Sequence, residues 1–225
     1  MKFEIAKTQG WNLLNIDDLE TLKIFNDKNR NSDVEILGEL LPEPFIGNPE
    51  KAKVLLLALN PGFKGGANGE YKWHKNESFG KLIFDNIELK ETKYPYYYLN
   101  TDKSFDKSPG HEWCKRVFRE LIEAVTAEEL SKKISCIQFH GYHSKKYKYL
   151  GNRLPSQEQT FGLIRSSIKR KIPIVIMRSK KIWFNAISEL EDYSDLIILK
   201  NPRNPTLSDG NMMEGDFNKL VKALK

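Results

Sequence analysis

The chain has 225 residues and a mass of 26.1 kDa, 40% apolar and 29% charged, which is globular composition and excludes a charge-dominated disordered polymer. A single domain over residues 1–225 is expected, with residues 1–44 as its helical extension, because a chain of this size buries enough apolar surface to fold without cross-links. Two cysteines, Cys114 and Cys136, exclude a four-thiolate zinc or iron–sulfur site, and no metal or cofactor is expected; a net charge of +6 and a pI near 9.1 suit a polyanionic partner without requiring one.

In chain order, the first twenty or so residues mix acidic side chains with short apolar stretches and lack the apolar core of a leader. No later run reaches membrane-spanning length, so a soluble, cytoplasmic monomer without a membrane partner is expected. A helical pattern over 17–26 is followed by the polar break DKNRNSD. Residues 53–59, KVLLLAL, form a continuous apolar run between Pro49 and Asn60-Pro61-Gly62, the pattern of a strand buried on both faces. Runs at 135–139, 173–177 and 195–199 share that character. Helical patterns occupy 111–133, 156–171, 180–190 and 216–225, and Ser156 with Gln159 reads as a capping box for the second of them. Two polar or Gly/Pro-punctuated stretches, 63–76 and 91–110, read as long surface loops of the kind that carry binding residues. Strands alternating with helices predict an α/β fold of three αβα layers around a central, mostly parallel four-stranded sheet.

In open α/β sheets ligands bind outside the carboxyl ends of the strands. The residues delivered there are polar: Asn60-Pro61-Gly62-Phe63, then His140-Gly141-Tyr142-His143-Ser144, then Arg178-Ser179-Lys180, and last Asn201-Pro202-Arg203-Asn204-Pro205. Their joint placement predicts a site at that rim. The loop FKGGANGE lacks the Gly-Lys-Ser/Thr ending of a P-loop, which argues against a nucleoside triphosphate. His140 and His143 have no thiol or carboxylate ligand beside them in sequence, which argues against a metal. Tyr94, Tyr96, Tyr97 and Tyr98 are either packing residues or a stacking platform for bases. Lys145, Lys146 and Lys148, interleaved with Tyr147 and Tyr149, are either a grip on a phosphate backbone or a solvated basic edge.

LLLALNPGF at 55–63 resembles the first motif of the uracil-DNA glycosylase superfamily, in its mismatch-specific and single-strand-selective branches. NPRNPTLSDG at 201–210 resembles the second motif of the single-strand-selective branch, and the order of strands and helices is similar over 45–225. The resemblance implies hydrolysis of the N-glycosidic bond of a uracil-like or deaminated base in single- or double-stranded DNA. It implies that Asn60 orients the water, that His140 bonds a base edge with His143 or Tyr142 as substitutes, and that Asn201 stands in the second motif. Gly62 would leave room for the base, Phe63, Tyr71 or Phe79 would stack on it, and Arg203 and Asn204 would enter the DNA while Lys145 and Lys146 hold its backbone. Two features depart from the family pattern. Leu199 or Asn201 stands where a histidine is usual, and His140 where an amide after the second strand is usual. Two alternatives accompany this reading: a non-catalytic nucleic-acid-binding module, and a hydrolase of a free nucleoside or nucleotide.

Overall fold

The computed structural model describes residues 4–225. All four expected apolar runs become strands: β4 (Val54–Ala58), β5 (Ile134–Gln138), β6 (Ile174–Ile176) and β7 (Leu196–Ile198). They pair in parallel, β5 with β4, β4 with β6 and β6 with β7, so their carboxyl ends share one edge. A fifth strand, β3 (Phe45–Gly47), pairs antiparallel with β5 and completes the order β3-β5-β4-β6-β7, so the sheet has five strands where four are expected. Three residues between Pro44 and Asn48 are too short a run to signal a strand by periodicity.

The centre of the sheet is dry on both sides. Val54, Leu55, Leu56 and Leu57 are each 0% exposed, and since successive strand residues face opposite ways, both faces of β4 are covered. The covering helices are α6 (Ala127–Lys133) and α7 (Pro155–Lys169) on β5 and α9 (Asp216–Leu224) on β4, while α3 (Glu77–Ile87) packs against β3. The architecture is three αβα layers. Helices α4 (Pro109–Val117) and α5 (Arg119–Val125) precede α6, α8 (Lys180–Ala186) follows β6, and the short α2 (Glu70–His74) precedes α3. Among the described residues, no helix is long and apolar enough to cross a membrane.

Residues 1–44 are expected to be a helical extension, and their described part is more than that. A hairpin, β1 (Ala6–Thr8) and β2 (Trp11–Leu13), turns through Gln9 and Gly10, whose φ values of +50° and +81° suit the tight two-residue turn. It leads into α1 (Asp18–Asn29), whose Asp18 is 0% exposed and accepts hydrogen bonds from Tyr142 Oη at 2.5 Å and from the Ser156 backbone at 3.1 Å. Burial raises the Asp18 carboxyl above its usual range. This side chain ties the N-terminal segment to the loop after β5 and to the start of α7.

The capping of α7 differs from the expected Ser156–Gln159 box. Pro155 occupies the first helical position, and Gln157 Oε1 accepts from the Leu154 amide at 2.7 Å. Gln157 Nε2 also donates to the Phe139 carbonyl at 2.7 Å, so one side chain both starts the helix and pins the end of β5. Cys114 and Cys136 are free, buried thiols, and burial followed by the proximity of Glu43 pushes that of Cys136 up to about 12.

Candidate functional site

A cavity of about 780 Å³ lies at the carboxyl ends of β4, β5 and β6. Its floor is Ala58, Cys136 and Gln138; its walls are the 59–64 and 143–147 loops, Tyr96 and Tyr98, and the first turns of α4; Met177, Arg178, Ser179 and Pro205 close the remaining side. Parallel pairing puts Ala58 opposite Gln138, and the strand alternation places Cys136 and Gln138 on the same face.

Asn60 is held by its own loop and its neighbour. Its Nδ2 donates to the Pro61 carbonyl and to Ser144 Oγ, both at 2.9 Å, and Ser144 Oγ donates in turn to the Lys146 carbonyl at 3.0 Å. Both amide hydrogens are therefore committed, and the carbonyl oxygen Oδ1 is the end available to a water. The loops after β4 and β5 are joined again by the contact of His143 Nδ1 with the Gly62 carbonyl at 2.8 Å. A methyl group built on Gly62 would meet nothing within 4 Å, so the protein's own packing leaves that position open.

Behind this loop is a buried cluster of two carboxyls and two imidazoles. Glu43, 3% exposed, accepts from the hydroxyls of Tyr97 and Tyr98, the latter at 2.8 Å, and lies 3.4 Å from His143 Nε2. His74 accepts the Leu41 amide on Nδ1 at 3.1 Å, so its hydrogen is on Nε2, and burial followed by the charge of His143 holds its pKa down to about 2. Nε2 faces Glu70 Oε2 at 3.9 Å, too far for a hydrogen bond, and both atoms are buried without a partner among the described residues. Burial and then Glu43 push the Glu70 carboxyl up to about 8. Glu70 reaches the cavity because the 63–69 loop folds tightly on itself: the Glu70 amide donates to the Lys64 carbonyl at 2.9 Å, and a methyl on Gly69 would lie 2.1 Å from that same oxygen.

Ligand atoms of Glu43, His74 and His143 lie within 4.8 Å of one another, a spacing that a cation could bridge. Their hydrogen bonds oppose that use. His74 Nδ1 is occupied by an amide, and both nitrogens of His143 lie against carbonyl oxygens, Gly62 at 2.8 Å and Leu41 at 3.1 Å, which occupy the positions a cation would take.

Of the residues singled out in the sequence, Asn60, Gly62, Phe63, His143, Lys145 and Lys146 line the cavity. Tyr71 lies beside it, 38% exposed, with its ring edge-on to Phe63 at 5.2 Å and its hydroxyl bonded to Glu39. Phe79 is a core residue, 1% exposed, because α3 forms where no helix is expected and turns this ring onto Trp73, Tyr97 and Tyr98. Tyr142 is likewise internal: its hydroxyl donates to Asp18 and accepts from the Leu14 amide. His140 is 3% exposed and stacked against Tyr147 at 5.5 Å, so Tyr147 and not His140 forms the cavity wall. Burial and then His143 hold the His140 ring neutral, down to about 3. Asn201, Arg203 and Asn204 are exposed at the same end of the sheet but do not line the cavity; Asn201 Oδ1 accepts from the amides of Arg203 and Asn204, which makes it a turn residue.

Sequence reasoning passed over Glu43, Glu70, Gln138 and Arg116, all of which line the cavity, whereas Ser144 and Arg178, which also line it, were among the residues expected at the rim. Gln138 alone left a trace, as the one amide in the apolar run SCIQF. It is 6% exposed, its Oε1 has no partner among the described residues, and it stands on the floor where the resemblance leads one to look for an amide at His140. Around the mouth stand Lys64, Arg116, Lys145, Lys146 and Arg178. Lys64 pairs with Glu112 and the two lysines with Asp33, whereas Arg116 and Arg178 have no acidic partner among the described residues. The site therefore combines a buried polar floor with a cationic rim. Comparison of the chain with protein-family models, with curated proteins and with solved structures returned no match.

Proposed function

We propose that this protein hydrolyses the N-glycosidic bond of a uracil-like or deaminated base in DNA, with the nucleotide extruded into the cavity below Asn60. The observation that carries the reading is the placement of Asn60: its amide hydrogens are committed to Pro61 and Ser144, and its oxygen remains to hold a water at a cavity floored by Gln138, whose Oε1 has no partner among the described residues. The cationic rim supports it, since a base in the cavity would leave its phosphates at the mouth. The two Asn-Pro motifs, resembling those of the uracil-DNA glycosylase superfamily, support it independently. In this mechanism the sugar develops positive charge as the bond to the base lengthens, and water held by Asn60 Oδ1 adds to it. Gln138 pairs with the base edge, and Tyr147 and Phe63 offer ring faces.

The test is excision from oligonucleotides carrying uracil, hypoxanthine, xanthine or mismatched bases, with alkaline cleavage revealing abasic sites. Abasic product from at least one of them is expected. Binding without cleavage would move the protein to the non-catalytic reading, and turnover of a free nucleoside alone would make it a small-molecule hydrolase.

A further inference from the structure

We propose that Glu70 is a further catalytic residue, a carboxylic acid that protonates the base as it leaves; the proposal rests on the glycosylase reading of this cavity. Three carboxyls border the cavity: Glu112 is exposed and paired with Lys64, whereas Glu43 and Glu70 are buried, in opposite surroundings. Glu43 accepts from two tyrosine hydroxyls and lies beside His143, so its oxygens have donors. Glu70 has none of these. It is 6% exposed, Oε2 is buried without a donor, and the nearest candidate, His74 Nε2, stands at 3.9 Å.

The groups facing Glu70 are Glu43, Lys64, His74, Tyr97 and Tyr98. Lys64 lowers its pKa, but burial and Glu43 outweigh it and bring the group up to about 8. Of two buried carboxyls, the one without hydrogen-bond donors is the one suited to carry a proton. The chemistry needs such a group. The bond to the base breaks with its electron pair on the base, and the second Asn-Pro loop supplies only Asn201, whose Oδ1 is already engaged.

In the step, the C1′–N bond breaks, the Glu70 proton passes to the base, and the water oxygen bonds to C1′. The proton lost by that water returns, through solvent, to the Glu70 carboxylate. His74 Nε2–H, unpartnered in the resting site, is placed to move onto that carboxylate while it is charged.

Single-turnover excision from pH 5 to 10 would be compared for the wild type, Glu70→Gln and Glu70→Asp, with thermal melting to monitor folding. The wild-type rate is expected to fall as pH rises through about 8. Glu70→Gln is expected to lose about 10²- to 10⁴-fold in rate and to lose that alkaline limb, while Glu70→Asp keeps a limb at intermediate rate. An alkaline limb persisting in Glu70→Gln overturns the proposal, whatever the rate, because a structural role lowers activity without removing a titration. If Glu70→Gln does not fold, the limb in Glu70→Asp decides: a flat profile overturns the proposal. A wild type inactive on every oligonucleotide overturns the glycosylase reading and this proposal with it, whereas an active wild type with an unchanged Glu70→Gln profile overturns this proposal alone.

Discussion

Asn60 has both amide hydrogens bonded inside the protein, so its usefulness to a ligand depends on one oxygen and on the neighbours that aim it. Asn60→Ala is expected to abolish excision and leave oligonucleotide binding near wild type. Ser144→Ala, which removes one of the two acceptors, should lower the rate by about 5- to 10-fold, the worth of one hydrogen bond. Equal loss of binding and turnover in Asn60→Ala would mark the residue as a structural turn. Glu70 makes a second prediction through stability. The folded protein holds its proton up to about pH 8, whereas the unfolded chain releases it near 4.5, so stability declines as pH rises across that interval. His74 acts on the other side: the folded ring stays neutral down to about 2, the unfolded ring takes up a proton below 6.5, and stability falls as pH drops below 6.5. Urea denaturation at pH 5 and pH 8 should show Glu70→Gln gaining on the wild type by a few kcal/mol, as an order of magnitude, at the higher pH. A constant difference between the two proteins at both pH values contradicts this.

At the scale of elements, interruptions explain more than continuity. The helical pattern over 111–133 becomes α4, α5 and α6 because the chain leaves helical geometry at Phe118, which is 0% exposed, and at Thr126, whose φ is +72°. Thr126 Oγ1 accepts from the Glu129 amide at 3.4 Å and so starts α6 where α5 ended. Short helices carry the chain around the sheet and bring Gly110 and Trp113 of α4 to the cavity wall. The loop after β7 is organised by Asn211, which accepts from the Asn201 amide at 2.7 Å and donates to the carbonyls of Asn204 and Thr206 at 3.1 and 3.0 Å. Asn211→Ala strands three backbone groups and should cost about 1–3 kcal/mol. On the proposed function it should also weaken duplex binding more than single-strand binding, because the loop would no longer be held for insertion. Denaturation within about 0.5 kcal/mol of wild type, the usual range of a neutral surface change, would show that the loop does not depend on Asn211.

For the molecule as a whole, charge is the property that links fold to proposed partner. The net +6 is spread over the chain, but Arg116 and Arg178 sit at the cavity mouth and Arg203 on the loop above it, none with an acidic partner among the described residues. If a strand of DNA tracks across this end of the sheet, each contributes one phosphate contact. Arg116→Ala, Arg178→Ala and Arg203→Ala should each weaken binding across sequences and reduce the magnitude of the slope of log affinity against log salt by about one. Fluorescence anisotropy with one oligonucleotide at several salt concentrations measures it. Unchanged slopes in all three variants would place the nucleic acid elsewhere or remove it.

The buried strands and the rim they serve were legible in the sequence, since runs such as KVLLLAL and the Asn-Pro turns that end them are local patterns whose physics depends on a few adjacent residues. Asn60, Gly62, Phe63, His143 and the two lysines were found that way. The sequence also determined the charge and the restricted supply of thiols. Only tertiary structure decided which polar residues face one another. Glu43, Glu70, His74 and Gln138 come from three separate segments, with Glu70 and His74 one turn apart on α2, and what sets them apart is the presence or lack of a partner across space, a property that periodicity does not encode. The same holds for Phe79, Tyr142 and His140, whose residue types suit a site but whose packing against Trp73 and Tyr97, Asp18 and Tyr147 respectively makes them internal, because burial is settled by the elements that fold over a residue and not by the residue itself.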